Sequence, residues 1–401
     1  MNRMELINHF TDLHEAEIIA LRRAIHEDPE LSFKEYHTSG RVLLELDQMG
    51  IPYTKDIAGT GIRAVLKGNL PGSRTIGLRA DMDALPLNED TGLSFASKNC
   101  GVMHACGHDI HTANLVGVAK TLNDMKDSFG GTVCFYFQPA EENGGGGREM
   151  IKAGILEDPK PDAVMALHVM PGSPGIICSA PGDVSAFSDR LIVTVHGKKA
   201  HSSNPSSGVD AINIAAHIIV AYNSIVTRLL RPETVSTYNV GIIQGGTAGN
   251  IVADEVSIQI MLRNVHASDR EIMLDRLKAI ASGIAESFGG SCTFQFRAGY
   301  ESVHNNAALT ADMMTLFSEN GNALTHGMEN VSETRTHILS GTNLGAEDFG
   351  FYTQKVPGFM YWVGVGGNEQ PLHNSSVVFD ESYIKLCTRS MVLGALHFLM
   401  D

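Results

Sequence analysis

Residues 104–112 read HACGHDIHT and hold three histidines, a cysteine and an aspartate. Cys106 and His108 lie two positions apart in a glycine-containing turn before a helix, so both side chains can reach one ion. A thiolate with an imidazole suits a borderline-soft divalent metal. A histidine-rich loop is more often solvated than ligating, so this stretch alone leaves two interpretations open: a metal site or a polar loop.

Three further groups of polar residues directly follow apolar runs, where strands of an open α/β sheet present their ligands. Pro139 ends the pleat of one strand, so the two carboxylates after it can converge instead of facing opposite sides. Each group alone is compatible with a solvated loop or a helix cap. Together with 104–112 they predict a pair of metal sites. The residues are Asp81 and Asp83, Glu141 and Glu142, His168 and, late in the chain, His373.

The elements that must position these residues alternate between helix and strand. Continuous apolar runs such as VCFYF and AVMAL are typical of buried strands, and 3.6-residue periodicity marks the helices. This alternation predicts an α/β sheet with helices on both faces. The expected helices are 15–27, 36–50 and 109–126, and the expected strands are 61–67, 74–80, 131–138 and 162–169.

A second pattern begins near residue 186 and predicts an inserted domain. Amphipathic strands and two long helices, one of them at 209–230, follow in the order βαββαβ, which is ferredoxin-like. After about 300 the α/β pattern returns, with helices near 306–320 and 381–400. We therefore expect a metal-binding α/β domain of residues 1–185 and 300–401, interrupted by an inserted domain of residues 186–299.

Composition excludes several function classes. The 401-residue chain exceeds the size of one typical core, in agreement with two domains. Its formal charge of -15 disfavours nucleic acid and anionic lipid as partners. The charged start has no signal-peptide core, and no apolar run reaches about 18 residues, so we expect a cytoplasmic protein with no membrane span. Six scattered cysteines predict reduced thiols, not a disulfide framework.

Six motifs, in order and spacing, resemble the M20 metallopeptidase family, specifically its amidohydrolase branch, which hydrolyses N-acyl amino acids, hippurate and auxin conjugates. The resemblance covers nearly the whole chain. It implies a two-domain zinc-peptidase-like α/β fold with the inserted lid. The motifs are GLRADMDALPLNEDTGL, GVMHACGHDIHTANLVGVAK, FQPAEENGGGG, ALHVMPG, GAEDFGFY and LHN.

The resemblance implies a role for each matching residue of the centre. The family's ligands of two divalent ions match Cys106, His108, Glu142, His168 and His373. Glu141 matches the general base, although Glu141 and Glu142 as two equivalent ligands remain an alternative. Asp83 matches an aspartate that orients a site histidine and fixes its tautomer. Asp81 stands where other branches carry a metal-binding histidine, and we expect it, His104 and His111 to support the site without ligating.

In the inserted domain, VHGKKAHSSNP matches the family's lid motif and implies that His201 stabilises the oxyanion, often in the partner subunit of a homodimer. Asn250 and Arg263 match positions that bind the substrate's carbonyl or carboxylate. The lid also departs from the family pattern, because an Ile-Pro pair, a histidine and a Gly-Thr pair are each replaced. The replacing residues are Val252-Ala253, Ser206 and Met261-Leu262.

The expected activity is therefore metal-dependent hydrolysis of the amide of an N-acyl amino acid, with Zn, Mn, Co or Ni as the two ions. A dipeptidase or carboxypeptidase on the same centre is the first alternative. A non-catalytic metal-dependent binding protein is the second, because of the altered lid. The glycines at 144–147 lack a phosphate-loop pattern and instead predict a turn close to the metal centre.

Overall fold

The computed structural model describes residues 1–329, 331, 334–342 and 344–400. The chain divides into two compact units. Unit 1 comprises Met1–Gly182, Val303–Ser340 and Asp348–Asp401, and unit 2 comprises Asp183–Ser302 and Gly341–Glu347.

Unit 2 differs at its edges from the predicted inserted domain of 186–299. The segment Gly341–Glu347, expected in the catalytic domain, belongs to unit 2. There the amide of Ala186 donates to the carbonyl of Gly345, and the hydroxyl of Thr342 donates to the carbonyl of Asp183. These hydrogen bonds join segments about 160 residues apart, which no local pattern reveals.

The helices and strands follow one another along the chain in these bounds. The helices are α1 (Arg3–His26), α2 (Tyr36–Met49), α3 (His108–Asp124), α4 (Gly146–Lys152), α5 (Ala211–Tyr222), α6 (Ala267–Ser287), α7 (Ala307–Glu319), α8 (Gly321–Leu324), α9 (Gly350–Thr353) and α10 (Ile384–Met400). The strands are β1 (Tyr53–Ile57), β2 (Gly61–Lys67), β3 (Leu70–Asp81), β4 (Gly130–Gln138), β5 (Ala163–Met170), β6 (Ile176–Ser179), β7 (Gly182–Asp183), β8 (Phe187–His196), β9 (Ala200–His201), β10 (Ser236–Gly245), β11 (Ile251–Val252), β12 (Glu255–Asn264), β13 (Ser291–Tyr300), β14 (His304–Asn305), β15 (Arg335–Ile338) and β16 (Gly358–Gly364).

Unit 1 is built on one mixed sheet in which β1, β2, β4, β3, β5, β16 and β14 are successive neighbours. Strands β3, β4, β5, β16 and β14 are parallel, and β2 joins β4 antiparallel. From β3 the chain adds β4 on one side and then β5 on the other. Such a reversal opens a crevice at the carboxyl ends of the strands. The predicted α/β class is confirmed.

The central strands and α3 are buried on all sides. Every residue of β5 except the last is buried, as expected for a parallel strand covered on both faces. In α3 all residues from His108 to Leu122 are buried, and the helix contacts α1 and α10. Packing therefore fixes the N-terminus of α3, where the histidine-rich motif lies.

Unit 2 has the predicted βαββαβ order, formed by β8, α5, β10, β12, α6 and β13. Its antiparallel sheet has the strand order β10, β12, β8, β13, which is the ferredoxin-like arrangement. Alternate residues of β12 are buried against the helices. The predicted single helix at 209–230 is wrong, because α5 ends at Tyr222 and a π-helical turn follows at Ile225–Leu229. The hydroxyl of Ser224 donates back to the carbonyl of Ala221, a local bond that competes with helix continuation.

Within the described residues, no helix combines the length and apolar character that crossing a bilayer requires.

Gly107, the N-cap of α3, provides a test of how tightly the motif is held. Its φ of +87° lies in the left-handed region, and a Cβ there would lie 2.4 Å from Cγ2 of Val169. Gly101 is a matched control, because its φ is +80° but a Cβ would meet nothing within 4 Å. The left-handed conformation costs an alanine about 1–2 kcal/mol at either position, and the clash adds about 1–3 kcal/mol at Gly107 alone. We expect Gly107→Ala to lower the thermal unfolding midpoint more than Gly101→Ala does. Equal midpoints for the two variants would contradict this packing.

Candidate metal centre

Five side chains from separate parts of unit 1 converge beyond the carboxyl ends of β3, β4 and β5. Their ligand atoms form two groups that share the thiol of Cys106. One group adds two histidines, and the other adds a carboxylate and a histidine. Within each group the atoms lie within 4.8 Å of one another. The first group is Cys106, His108 and His168, and the second is Cys106, Glu142 and His373.

The distances inside the groups are close to those of a tetrahedral metal site. At zinc bond lengths, neighbouring ligand atoms lie about 3.4–3.6 Å apart. Sγ of Cys106 lies 3.4 Å from Nε2 of His168, and Nε2 of His373 lies 3.4 Å from Oε1 of Glu142. Nε2 of His108 lies 3.9 Å from the same Glu142 oxygen. A small divalent ion fits either group with little rearrangement.

Hydrogen bonds orient the histidines for ligation through Nε2. Nδ1 of His108 lies 2.9 Å from the backbone carbonyl of Asp83, and Nδ1 of His168 lies 2.7 Å from that of Val169. Because a carbonyl only accepts, each Nδ1 carries the proton. Nε2 of each ring is therefore the atom directed at the other members of its donor group, as ligating histidines require.

Two buried atoms of the centre make no hydrogen bond within the described part of the chain, Nε2 of His108 and Oε1 of Glu142. Buried polar atoms rarely stay without a partner, since each costs about 1–3 kcal/mol. A divalent cation in each group would satisfy both atoms, Nε2 of His108 in the first group and Oε1 of Glu142 in the second. The mixture of sulfur, nitrogen and oxygen donors fits zinc and neighbouring transition metals.

Asp81 and His111 lie beside the groups with their ligand atoms already engaged. Asp81 accepts from Nδ1 of His111 at 2.6 Å and from the guanidinium of Arg79 at 2.6 Å. Nε2 of His111 accepts from the amide of Val169 at 2.9 Å. Hence His111 links Asp81 to the end of β5, where His168 lies. His104 is buried outside both groups, and burial lowers its pKa to about 3.

Asp83 anchors the loop that carries the paired carboxylates. Its two carboxylate oxygens accept from the amides of Glu141 at 3.0 Å and Glu142 at 3.1 Å, and the hydroxyl of Ser32 donates at 2.6 Å. The family resemblance implied that Asp83 orients a site histidine and fixes its tautomer, and His108 is the histidine beside it. In the structure the backbone carbonyl of Asp83 makes that contact, and its carboxylate lies 3.4 Å from Nδ1.

Glu141 lies next to the donor groups but in neither of them. One of its carboxylate oxygens lies within 4.8 Å of ligand atoms of His108 and Glu142. The side chain is buried. This position beside the candidate ligands suits a group that exchanges protons with a reactant held there.

A buried ionic network under the centre was not anticipated from the sequence. The guanidinium of Arg79 binds Asp81, Gln138 and, at 2.7 Å, Asp348. Asp348 also accepts from the amide of Gly147 at 2.9 Å. The network joins β3, the end of β4 and the glycine-rich turn. Its sequence signals are an arginine inside the apolar strand TIGLRA and the aspartate of the GAEDFGFY motif.

Burial and neighbouring charge change the pKa values of three candidate ligands. Burial lowers the pKa of His168 to about 3, which favours the neutral imidazole. Burial, and then the charge of Glu142, raises the pKa of Cys106. For His108, burial is outweighed by Asp81 and Cys106, which raise its pKa well above the usual range.

The predicted lid residues all lie in unit 2. His201 is in β9, and its backbone pairs with Ile251 of β11. The amide of Ser202 donates to the carbonyl of Asn250, so His201 and Asn250 lie close together. Arg263 lies on β12, which lies between β10 and β8 in the unit 2 sheet.

Residues 77–395 match the family described as Peptidase family M20/M25/M40. The chain is 35% identical over 390 residues to thermostable carboxypeptidase 2 of Saccharolobus solfataricus, covering 95% of each chain. It is 32% identical to N-acetylcysteine deacetylase of Bacillus subtilis, covering 93% of this chain and 94% of the relative.

A solved structure from Bacillus subtilis, described as a dinuclear metal-binding peptidase of the M20 family, is similar throughout. Its TM-score is 0.83 at 30% identity, and the match covers 97% of this chain and 99% of that one. The similarity includes both units, so the fold around the candidate centre is shared with a protein that is described as binding two metals.

Proposed function

The chain belongs to peptidase family M20/M25/M40, and from that premise we propose that it hydrolyses the amide bond of N-acyl amino acids to a carboxylic acid and a free amino acid. The observation that carries the proposal is the set of donor atoms around the buried Cys106, with the buried Glu141 beside it. Hydrolysis of an amide bond is common to a deacetylase and a carboxypeptidase, as these two relatives are named.

We assign the binding of two divalent ions to the two groups that share Cys106. The ligands are Cys106, His108, Glu142, His168 and His373. Zinc, manganese, cobalt or nickel fits this donor set. Bound there, the ions would polarise the amide carbonyl and lower the pKa of water.

Glu141 is assigned as the general base and acid. Its carboxylate would take a proton from the attacking water as the water oxygen bonds to the amide carbon. The same proton would pass to the nitrogen as the carbon–nitrogen bond breaks. Asp83 holds the backbone of Glu141 through the amide at 3.0 Å, which keeps the carboxylate beside the reacting atoms.

Asn250 and Arg263 are assigned to substrate binding. Asn250 is exposed, and Nη1 of the half-buried Arg263 makes no hydrogen bond within the described residues. A guanidinium binds a carboxylate through two parallel hydrogen bonds. An N-acyl amino acid presents such a carboxylate next to the scissile amide.

His201 is assigned to oxyanion stabilisation. Its Nδ1 accepts from the amide of Ser203 at 3.2 Å and lies 2.8 Å from the same residue's hydroxyl. The proton of the neutral imidazole therefore lies on Nε2, where the exposed ring can donate it to a substrate oxygen.

We propose that the protein is a homodimer formed through unit 2. Strand β10 is an edge strand of its sheet and exposes Ile242 and Ile243, and α5 exposes Val220, which is 69% exposed. Unpaired edges with apolar side chains are readily paired with a second copy. The dimer would bring His201 to the catalytic centre of the partner subunit.

A peptide substrate is the alternative on the same centre. The carboxypeptidase relative is 35% identical to this chain, and the deacetylase is 32% identical. Both substrate classes place a free carboxylate beside an amide, so the metal centre does not distinguish them. The lid residues Val252, Ala253 and Ser206, which depart from the family pattern, would decide the preference.

Alanine substitutions of Glu141 and Glu142 distinguish the general base from a metal ligand. Glu141→Ala should lower kcat about 10²–10⁴-fold and leave the metal content, measured by plasma mass spectrometry, near that of the wild type. Glu142→Ala should lower the metal content itself, because it removes a ligand. Loss of metal in both variants would instead support two equivalent ligands, and full activity in Glu141→Ala would refute the base assignment.

Assays with a panel of substrates test whether the protein prefers the amide of N-acyl amino acids or that of dipeptides. Metal-reconstituted protein should release free amino acid from N-acetyl and N-benzoyl amino acids faster than from simple dipeptides, and amide analogues without the free carboxylate should be poor substrates. Product release is followed by chromatography. A preference for dipeptides would establish the alternative, and no hydrolysis of either class with metal bound would indicate a binding protein.

Mixing two inactive variants tests whether His201 acts across the dimer. In a random mixture of His201→Ala with Glu141→Ala, half of the dimers are mixed and each has one complete centre. Activity should therefore return to about a quarter of the wild-type value. Sedimentation velocity confirms the dimer. A monomer, or a mixture that stays inactive after subunit exchange, would contradict the assignment.

A further inference from the structure

Between α1 and α2, Glu35 and Phe33 contact the loop that carries Glu141 and Glu142, defined here as residues 139–147, and Ser32 contacts the aspartate that holds this loop. Glu35 accepts the amide of Ala140 at 2.9 Å. Ser32 donates to Asp83, which holds the next two amides. A Cβ on Gly144 would lie 2.5 Å from the ring of Phe33, so this ring packs closely against the glycine. The segment therefore contacts this loop at both ends.

Ala140 is the point at which the loop changes direction. Its φ of +56° is in the left-handed region, which alanine rarely adopts. The amides of Ala140, Glu141 and Glu142 all donate to carboxylates, the first to Glu35 and the other two to Asp83. Glu35 thus holds the one amide of the three that Asp83 does not.

Hydrogen bonds to both carboxylate oxygens hold the side chain of Glu35 in place. It is fully buried, its Oε1 also accepts from the amide of Phe33 at 2.9 Å, and its Oε2 accepts from the hydroxyl of Thr60 at 2.5 Å. Gly61, which follows Thr60, packs closely against Pro139, the first residue of the loop. A Cβ on Gly61 would lie 3.0 Å from Cδ of Pro139. Burial raises the pKa of Glu35 to about 7.

Glu35 occupies the N-cap position of α2 but does not cap that helix. A side chain at an N-cap usually accepts from its own helix. Here Glu30 does so instead, because its two oxygens accept the amides of His37 at 3.0 Å and Thr38 at 2.9 Å. The carboxylate of Glu35 is directed to a loop 105 residues away. Stabilisation of α2 therefore does not explain its position.

We propose that Glu35 is a positioning residue for Glu141. By holding Ala140 in its left-handed conformation, it keeps the carboxylates of Glu141 and Glu142 on the same side of the loop, directed at the candidate histidine and cysteine ligands. The inference rests on the proposed function for the role of Glu141. The contact itself does not depend on that function.

Three substitutions at Glu35 and one control separate positioning from charge and from general stability. Glu35→Gln keeps the acceptor at the same reach but removes the charge. Glu35→Asp keeps the charge but shortens the reach by one methylene group. Glu35→Ala removes both. Glu30→Ala, the matched control, removes a carboxylate from the same connection without contacting residues 139–147.

The first measurement is hydrogen exchange of the peptide that covers Ala140 to Glu142, in metal-free protein. We expect faster exchange in Glu35→Asp and Glu35→Ala, and wild-type exchange in Glu35→Gln and Glu30→Ala.

The second measurement is steady-state kinetics. A displacement of about 1 Å can cost about 10²-fold in rate, so kcat of Glu35→Asp should fall about 10–100-fold while KM changes less than about threefold. Glu35→Gln should stay within about threefold of the wild type.

The outcomes distinguish this inference from the proposed function. A wild-type protein without hydrolytic activity would refute the function, and the exchange experiment would still decide the role of Glu35. Unchanged exchange in Glu35→Asp would overturn the inference. So would a Glu35→Gln variant as impaired as Glu35→Asp, or equal losses in Glu30→Ala. If Glu35→Ala does not fold, the comparison of Gln with Asp remains decisive.

Discussion

The buried thiol of Cys106 belongs to both donor groups, and the rest of the centre depends on this sharing. Two imidazoles, a thiol and a carboxylate removed from water are costly without a cation between them. Nε2 of His108 and Oε1 of Glu142, which make no hydrogen bond within the described part of the chain, show where that cost is concentrated. Divalent metal binding explains why unit 1 maintains such an arrangement at the reversal point of its sheet.

Local patterns in the sequence predicted the elements and the candidate ligands. The strand Gly61–Lys67 was predicted to the residue, and the polar residues at the ends of β3, β4 and β5 do converge. Strand β16 was missed, although it pairs with β5 and precedes His373. The helix that precedes it, α9, has only four residues, so no helical periodicity in the sequence indicates a parallel strand there.

The features that escaped prediction are hydrogen bonds between distant segments. Glu35 reaches Ala140 and Arg79 reaches Asp348, across 105 and 269 positions. The left-handed conformation of Ala140 is likewise hidden, because alanine gives no signal for it. Such contacts have no period and no characteristic spacing, yet they hold the loop and the strand ends on which the proposed ligands lie. The sequence therefore indicates which groups do the chemistry, and the structure shows what holds them in place.

The most direct test of the two-ion centre is anomalous X-ray diffraction from crystals grown with zinc, measured above and below the zinc absorption edge. We expect two anomalous peaks, both about 2.3 Å from Sγ of Cys106. One should also contact His108 and His168, and the other Glu142 and His373. A single peak, or peaks that do not share Cys106, would contradict the account.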